Sequence, residues 1–228
     1  AGRPPPVNGK LLCGGVADVA QLTFALLLKA YAKHYGSYAA LRKGRVAEFL
    51  TDLTGGGPQT RELGGEESRA WAELSALKAA GALLSCQQAA LASRSAAEPF
   101  ADGIRLRSTY VILSQVVLSS GERLLCLRNP WATPLWRGRW RGGAPEWSAT
   151  SSGDDQSPLM QLQTSGSPYA AAAVRDDPSG LFWISLADFV RVFDRVYACR
   201  IAPRAAPRAI HFGEWTGDTA GGCLNFAC

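Results

Sequence analysis

The sequence predicts an α+β fold in which helices come first and an antiparallel β-sheet follows. Three observations carry this expectation. Apolar residues recur at helical spacing in three segments of the first 80 residues, runs rich in Val, Ile and Leu follow residue 105, and glycine or proline stands at the segment ends. Helices followed by strands point to segregated layers rather than to a parallel sheet threaded by helices.

In residues 18–35, Leu22, Ala25, Leu26, Lys29, Ala30 and Lys33 fall on neighbouring i, i+3, i+4 rows. The spacing predicts a largely buried helix, with Asp18 as its cap and Gly36 as its stop. A shorter helix is expected over Arg45–Leu53, closed by the breaker Gly55-Gly56-Gly57-Pro58. Glu66–Ala80 places Trp71, Leu74, Leu77 and Lys78 at helical spacing, with acids in its first turn and Gly81 beyond its end. Residues 109–118 and 123–128, joined by Ser119-Ser120-Gly121-Glu122, read as a β-hairpin. Ala144–Tyr169 is dominated by Ser, Gly, Asp, Gln and Pro and reads as a surface loop. Leu181–Ser185 is expected to be a strand, Leu186–Phe193 a helix capped by Ser185, and Arg195–Ile201 a final strand. The change from helix to strand falls near residues 96–103, which predicts two parts, 1–100 and 101–228, the second with a polar loop at about 144–170.

At 228 residues with 47% apolar and 19% charged content, the chain is long enough to bury a sizeable core. The net charge of +5 comes mainly from arginines scattered over Arg42, Arg45, Arg128, Arg137, Arg139, Arg141, Arg191, Arg195 and Arg200. No block of like charge stands out, so a nucleic-acid partner is not expected. No apolar run reaches the roughly 20 residues that span a bilayer, and Ala1–Val7 lacks the order of a secretory signal. Six cysteines without paired metal-ligand spacing read as reduced thiols, which predicts an intracellular, cytoplasmic setting. The start without Met and the end at Cys228 read as a piece of a longer product.

The order of several short motifs resembles the protease core of the calpain family over nearly the whole chain. Lys29-Ala-Tyr-Ala-Lys33, Gly36-Ser-Tyr38, Ala40-Leu41 and Leu53-Thr-Gly-Gly56 resemble the end of that core's helical first half. Trp71 and Leu83-Leu-Ser-Cys86 resemble the helix and strand that lead into the second half. Asn129-Pro-Trp131, Trp136-Arg-Gly-Arg-Trp140, Phe182-Trp-Ile-Ser185, Asp188-Phe189 and Ala220-Gly-Gly-Cys223 resemble the β-rich second half. The ending Tyr197-Ala-Cys-Arg-Ile-Ala-Pro203 is most similar to the plant-type and small-optic-lobes-type branches. The resemblance implies a papain-like calpain protease core, with residues 1–100 as the latter portion of the helical subdomain and 101–228 as the β subdomain.

It also implies a mechanism in which a cysteine thiolate attacks a peptide carbonyl, a histidine shuttles the proton and an asparagine orients the imidazole. Matched by motif, Ser108 stands at the histidine position, with Tyr110 keeping the tyrosine two residues on. Asn129 stands at the catalytic asparagine, Trp131 at the tryptophan that covers the Asn–His contact, and Ala132 at a usual glycine. Serine cannot replace an imidazole, whose unperturbed pKa of about 6.5 lets it take and return a proton near neutrality. The family's Gly-Asp-Cys-Trp nucleophile segment belongs before Asp18 and has no match. Cys13, in Leu12-Cys-Gly-Gly15, lacks the aromatic and helix that should follow. An apolar surface on the helix at 18–35 would then stand open and favour association. The two histidines, His34 and His211, fall in the first helix and the last loop, away from the strand facing Asn129.

Calcium is the family's cofactor, but none is expected in this chain. The second-half positions that should carry acids hold Leu135, Gly142, Ser179 and Leu181, and a hard divalent cation needs several oxygen ligands. Glu48 matches an acidic residue of the first half's site, without its partner loop. Trp131, Trp136, Trp140 and Trp147 are expected in the core or on a cleft wall. Gly55-Gly-Gly57 lacks the Lys-Ser/Thr of a phosphate loop. Two functions follow: a calpain-like cysteine endopeptidase fragment that is catalytically inactive, or a pseudoprotease acting as a peptide- or protein-binding or structural module. Either has a protein or peptide as partner.

Overall fold

Left-handed backbone at Gly36 (φ +87°) and Gly55 (φ +64°) sets the ends of the first two helices, where a residue without Cβ carries no steric penalty. The computed structural model describes residues 6–7, 10–11, 23–42, 44–88, 100–105, 107–132, 136–149 and 156–201. In chain order, β1 (Pro6–Val7) and β2 (Lys10–Leu11) form a short pair. Then come α1 (Thr23–His34), α2 (Val46–Thr54), β3 (Gly57–Glu62), α3 (Glu67–Ala79) and β4 (Leu83–Gln87). The second half supplies β5 (Phe100–Ala101), β6 (Ile104–Arg105), β7 (Thr109–Val117), β8 (Arg123–Arg128), α4 (Pro158–Thr164), α5 (Ala171–Val174), β9 (Leu181–Ser185), α6 (Leu186–Val192) and β10 (Arg195–Arg200). The α+β class expected from the sequence is what the chain adopts.

One six-stranded antiparallel sheet, in the order β3-β10-β4-β7-β8-β9, draws strands from both sides of residue 100. Alternation along β8 and β9 builds a core on each face. Leu125, Leu127, Phe182 and Ile184 face a cluster completed by Leu74 and Leu77 of α3 and Phe189 of α6. Leu124, Cys126 and Trp183 face a second cluster with Trp140, Trp147 and Leu162. A bulge between Ile112 and Ser114 reverses the alternation of β7, so that Ile112 joins the first cluster and Val116 packs against the second. Burial pushes the Cys86 and Cys126 thiols up.

Helix α1 differs from expectation. Residues 18–22 lie outside the described residues, and the helix is not largely buried: Leu26 is 62% and Leu27 45% exposed, although Ala32 is covered. Helical periodicity marks an apolar face but cannot say that a partner covers it. The helix meets α2 through Tyr31 and Tyr35, whose hydroxyls both donate to Asp52 Oδ2 at 2.9 and 2.6 Å, while the Tyr31 ring lies edge-on to Phe49. These hydrogen bonds, Tyr35's first, hold the Asp52 carboxyl below its usual range. Tyr31 is raised by desolvation and by bonds to Tyr35 and Asp52, and Tyr35 chiefly by its bond to Asp52.

Two further differences concern segments read as irregular. The breaker at Gly55–Pro58 runs directly into β3, an exposed edge strand paired with β10 along its whole length. The polar stretch 144–170 carries a 3-10 turn at Pro145–Trp147 and helix α4, whose cap Ser157 accepts from Met160 N at 3.3 Å. Trp147 and Leu162 anchor that stretch in the second core cluster, which outweighs its polar composition. Its residues 150–155 lie outside the described residues.

Candidate functional site

The hairpin of β7 and β8 brings the residues of interest to one end of the sheet. Val111 pairs with Arg128, so Asn129 leaves β8 beside the point where Ser108 enters β7. Ser108 shares its alternation with Tyr110 and Ile112, and Asn129 shares that of Leu125 and Leu127; both rows face the first core cluster. Tyr110 is fully buried, edge-on to Phe182 and Phe193, and its hydroxyl accepts from Arg105 N at 2.9 Å. Before Ser108 the chain turns sharply at Arg107 (φ +57°), whose N–H donates to Gln88 O at 3.1 Å and whose carbonyl accepts from Gln87 Nε2 at 3.2 Å. Ser108 is therefore held half-buried on a fixed stem.

Asn129 is 1% exposed. Its N–H donates to Gly180 O at 2.8 Å, its Oδ1 accepts from Trp131 N at 2.9 Å, and its carbonyl accepts from Ala132 N at 3.0 Å. The side chain thus closes a turn on its own backbone, as short amides do. Ala132 lies at φ +63°, so the position where the resemblance expects glycine does have left-handed backbone, here borne by alanine at a cost of about 1–2 kcal/mol. Gly180 approaches so closely that a Cβ on it would lie 2.2 Å from Asn129 O. Trp131 is 63% exposed, and the Arg105 guanidinium sits 5.7 Å from its ring centroid. By contrast, Trp136, Trp140 and Trp147 are buried.

The other candidates lie apart. His34 is exposed at the end of α1, its ring edge-on to Tyr35. Cys13 and His211 lie outside the described residues, as does Leu135. Cys86, Cys126 and Cys199 are buried free thiols. At the positions that the resemblance gives to calcium, the described residues do not fit that ion. Gly142 has no side-chain donor and lies against the Arg175 backbone, where a Cβ would come within 2.3 Å. Ser179 directs its N–H and hydroxyl onto Asp177 Oδ1, and Leu181 opens β9 as an apolar residue. Among the described residues no group of three or more His, Cys, Asp or Glu is placed to hold a metal. Glu48 is tied to Arg45 at 3.6 Å. No helix among the described residues is long and apolar enough to cross a membrane.

One feature escaped the sequence reading. Arg45, Arg107 and Arg195, far apart in the chain, line a single cleft of about 570 Å³ between the start of α2 and the sheet. Scattered arginines give no linear signal; the pairing of β10 with β3 and β4 is what gathers them.

The family model for calpain family cysteine proteases matches residues 2–200. Among curated proteins, the calpain-type cysteine protease DEK1 of Arabidopsis thaliana is 33% identical over 215 residues, covering 91% of this chain and 9% of the relative. DEK1 of Zea mays is 34% identical over 214 residues, and calpain-9 of Homo sapiens is 33% identical over 241 residues, covering 98% of this chain and 32% of that protein. The chain thus spans a third or less of these relatives' length. A match running through the α1–α2 pair, the sheet and the Asn129 turn places the chain in the calpain family of cysteine proteases.

Proposed function

We propose that this chain is a calpain-type core that does not cleave peptide bonds and works instead by holding a peptide or protein segment. The observation that carries the reading is Ser108. It stands at the sheet end beside Asn129, at the motif position of the family's histidine, and a hydroxyl cannot accept and return a proton near neutral pH. Asn129 has a separate use here, since its Oδ1 caps the turn through Trp131 N. The described cysteines are buried, which suits structural thiols rather than nucleophiles. The same reading needs no calcium at Gly142, Ser179 or Leu181, and takes its partner in a cytoplasmic setting.

The test is labelling of the purified chain with a thiol-directed peptide electrophile, with and without calcium, read by intact mass beside turnover of a fluorogenic casein. The expected result is slow, calcium-independent labelling and no turnover. Rapid labelling at one cysteine together with turnover would establish the alternative, a competent cysteine endopeptidase, and would overturn the role given to Ser108.

A further inference from the structure

The face of the sheet opposite the first core cluster is polar where α2 meets it. Arg195 and Tyr197 alternate along β10 with the buried Val196 and Ala198, and Thr109 precedes the buried Tyr110 on β7, so all three stand on the outer face. With Gln87 and Arg107, and with Arg45 at the start of α2, they wall a cleft of about 570 Å³ that no acidic residue lines among the described residues. That volume lies within the range of sites that take a side chain or a short peptide rather than one small ion.

The walls are set in place. The Tyr197 hydroxyl donates to Gln87 Oε1 at 2.7 Å, and Gln87 Nε2 in turn donates to the Arg107 carbonyl at 3.2 Å. The Arg107 guanidinium therefore projects from a fixed stem, and it forms no ion pair with the described residues. The other two cations are held loosely: Arg45 lies 3.6 Å from Glu48 and Arg195 3.6 Å from Glu62, pairs exposed enough for a ligand carboxylate to displace them. Planar guanidinium groups receive carboxylates bidentately.

We infer that this cleft receives an acidic peptide segment, its carboxylates held by Arg107 and Arg195. The inference rests on the peptide-holding reading above and names the chemical class of the partner; the cleft itself lies on the sheet face opposite the Ser108 row.

The test is fluorescence anisotropy on the whole 228-residue chain with labelled peptides about ten residues long, one alternating Glu with Ala, one with Gln in place of Glu, and one with phosphoserine. The Glu peptide should bind about tenfold tighter than the Gln peptide, two lost charge contacts at about threefold each. The double variant Arg107→Gln, Arg195→Gln should erase that preference, so that the two peptides bind it alike. Arg137→Gln, an exposed arginine outside the cleft, should leave both intact, and unchanged circular dichroism should accompany each variant. Equal affinity for the Glu and Gln peptides would overturn the acidic class and leave the peptide-holding reading standing. No binding of any peptide would overturn both. Binding of the phosphopeptide alone would overturn the carboxylate assignment, and a preference that survives the double variant would overturn the location.

Discussion

Replacing Gly180 by alanine puts a methyl group where the turn at Asn129 leaves no room. Gly180 lies at φ +84°, and its Cβ would stand 2.2 Å from Asn129 O and 3.0 Å from Ala132 Cα. An L-residue held in left-handed backbone costs about 1–2 kcal/mol. The obstacle is backbone rather than the tip of a flexible side chain, so relief requires moving the turn, an overpacking strain of about 1–3 kcal/mol. The sum, about 2–5 kcal/mol, is a large share of the roughly 5–15 kcal/mol that holds a domain folded. Gly121 is a matched control: its φ is +83°, but nothing lies within 4 Å of its Cβ, so only the conformational part applies. Urea unfolding followed by tryptophan fluorescence, extrapolated linearly to water, should find Gly180→Ala less stable than Gly121→Ala by about 1–3 kcal/mol. Equal losses in the two variants would refute the argument that the close approach of Gly180 fixes the Asn129 turn.

Ser108→His alone should restore no hydrolysis of a fluorogenic peptide, because an imidazole at the strand end would face no nucleophile among the buried Cys86, Cys126 and Cys199; measurable turnover would show that a thiol is in reach. Asp52→Asn should remove a pH step. A carboxyl whose folded pKa is depressed contributes stability above its unfolded value and loses it as pH falls through the folded one, so the native α1–α2 contact should loosen below about pH 4, read as near-ultraviolet tyrosine ellipticity, with no such step in the variant. On the alkaline side, Tyr31 and Tyr35 should titrate above the ordinary phenol value in the native chain, and Tyr35, raised chiefly by Asp52, should move back toward about 10 in Asp52→Asn while Tyr31 stays raised by desolvation, followed by phenolate absorbance. Ser185→Ala removes the oxygen that accepts from Asp188 N at 3.1 Å at the start of α6, and should lower stability by about 1 kcal/mol in urea unfolding.

What could be read from the sequence follows from how local each signal is. The hairpin over β7 and β8, the capped helix α6 and helix α3 carry their own patterning and turn residues, and each forms within a residue or two of expectation. β3 was missed because Gly57-Pro-Gln-Thr-Arg-Glu62 has no apolar alternation; as an edge strand with five of its six residues exposed, it is specified by the β10 ladder rather than by its own residues. α4 did have a local sign, Ser157 followed by Pro158 at the first helical position, but the polar composition around it masked that sign. In the site, the positions of Ser108 and Asn129 at one sheet end were legible through their motifs. The left-handed backbone at Ala132, the wedge of Gly180 against Asn129 and the convergence of Arg45, Arg107 and Arg195 were not, because each depends on segments that meet only once the sheet has formed.

The placing of β10 between β3 and β4 sets the order of assembly against the order of synthesis. Arg195 pairs with Glu62 on one side and Gln87 on the other, so the strand made last of the six is the one that joins the two made first. Until it leaves the ribosome, β3 has no ladder partner and α2 no sheet to rest on, while the β7–β8 hairpin can close on its own short turn. Such long-range closure is slow and keeps unpaired strand edges open to other chains in the meantime. A nascent chain halted before Arg195 would therefore leave the ribosome with the arginine cleft unbuilt and β3 unpaired, a natural substrate for chaperones rather than a smaller version of the same domain.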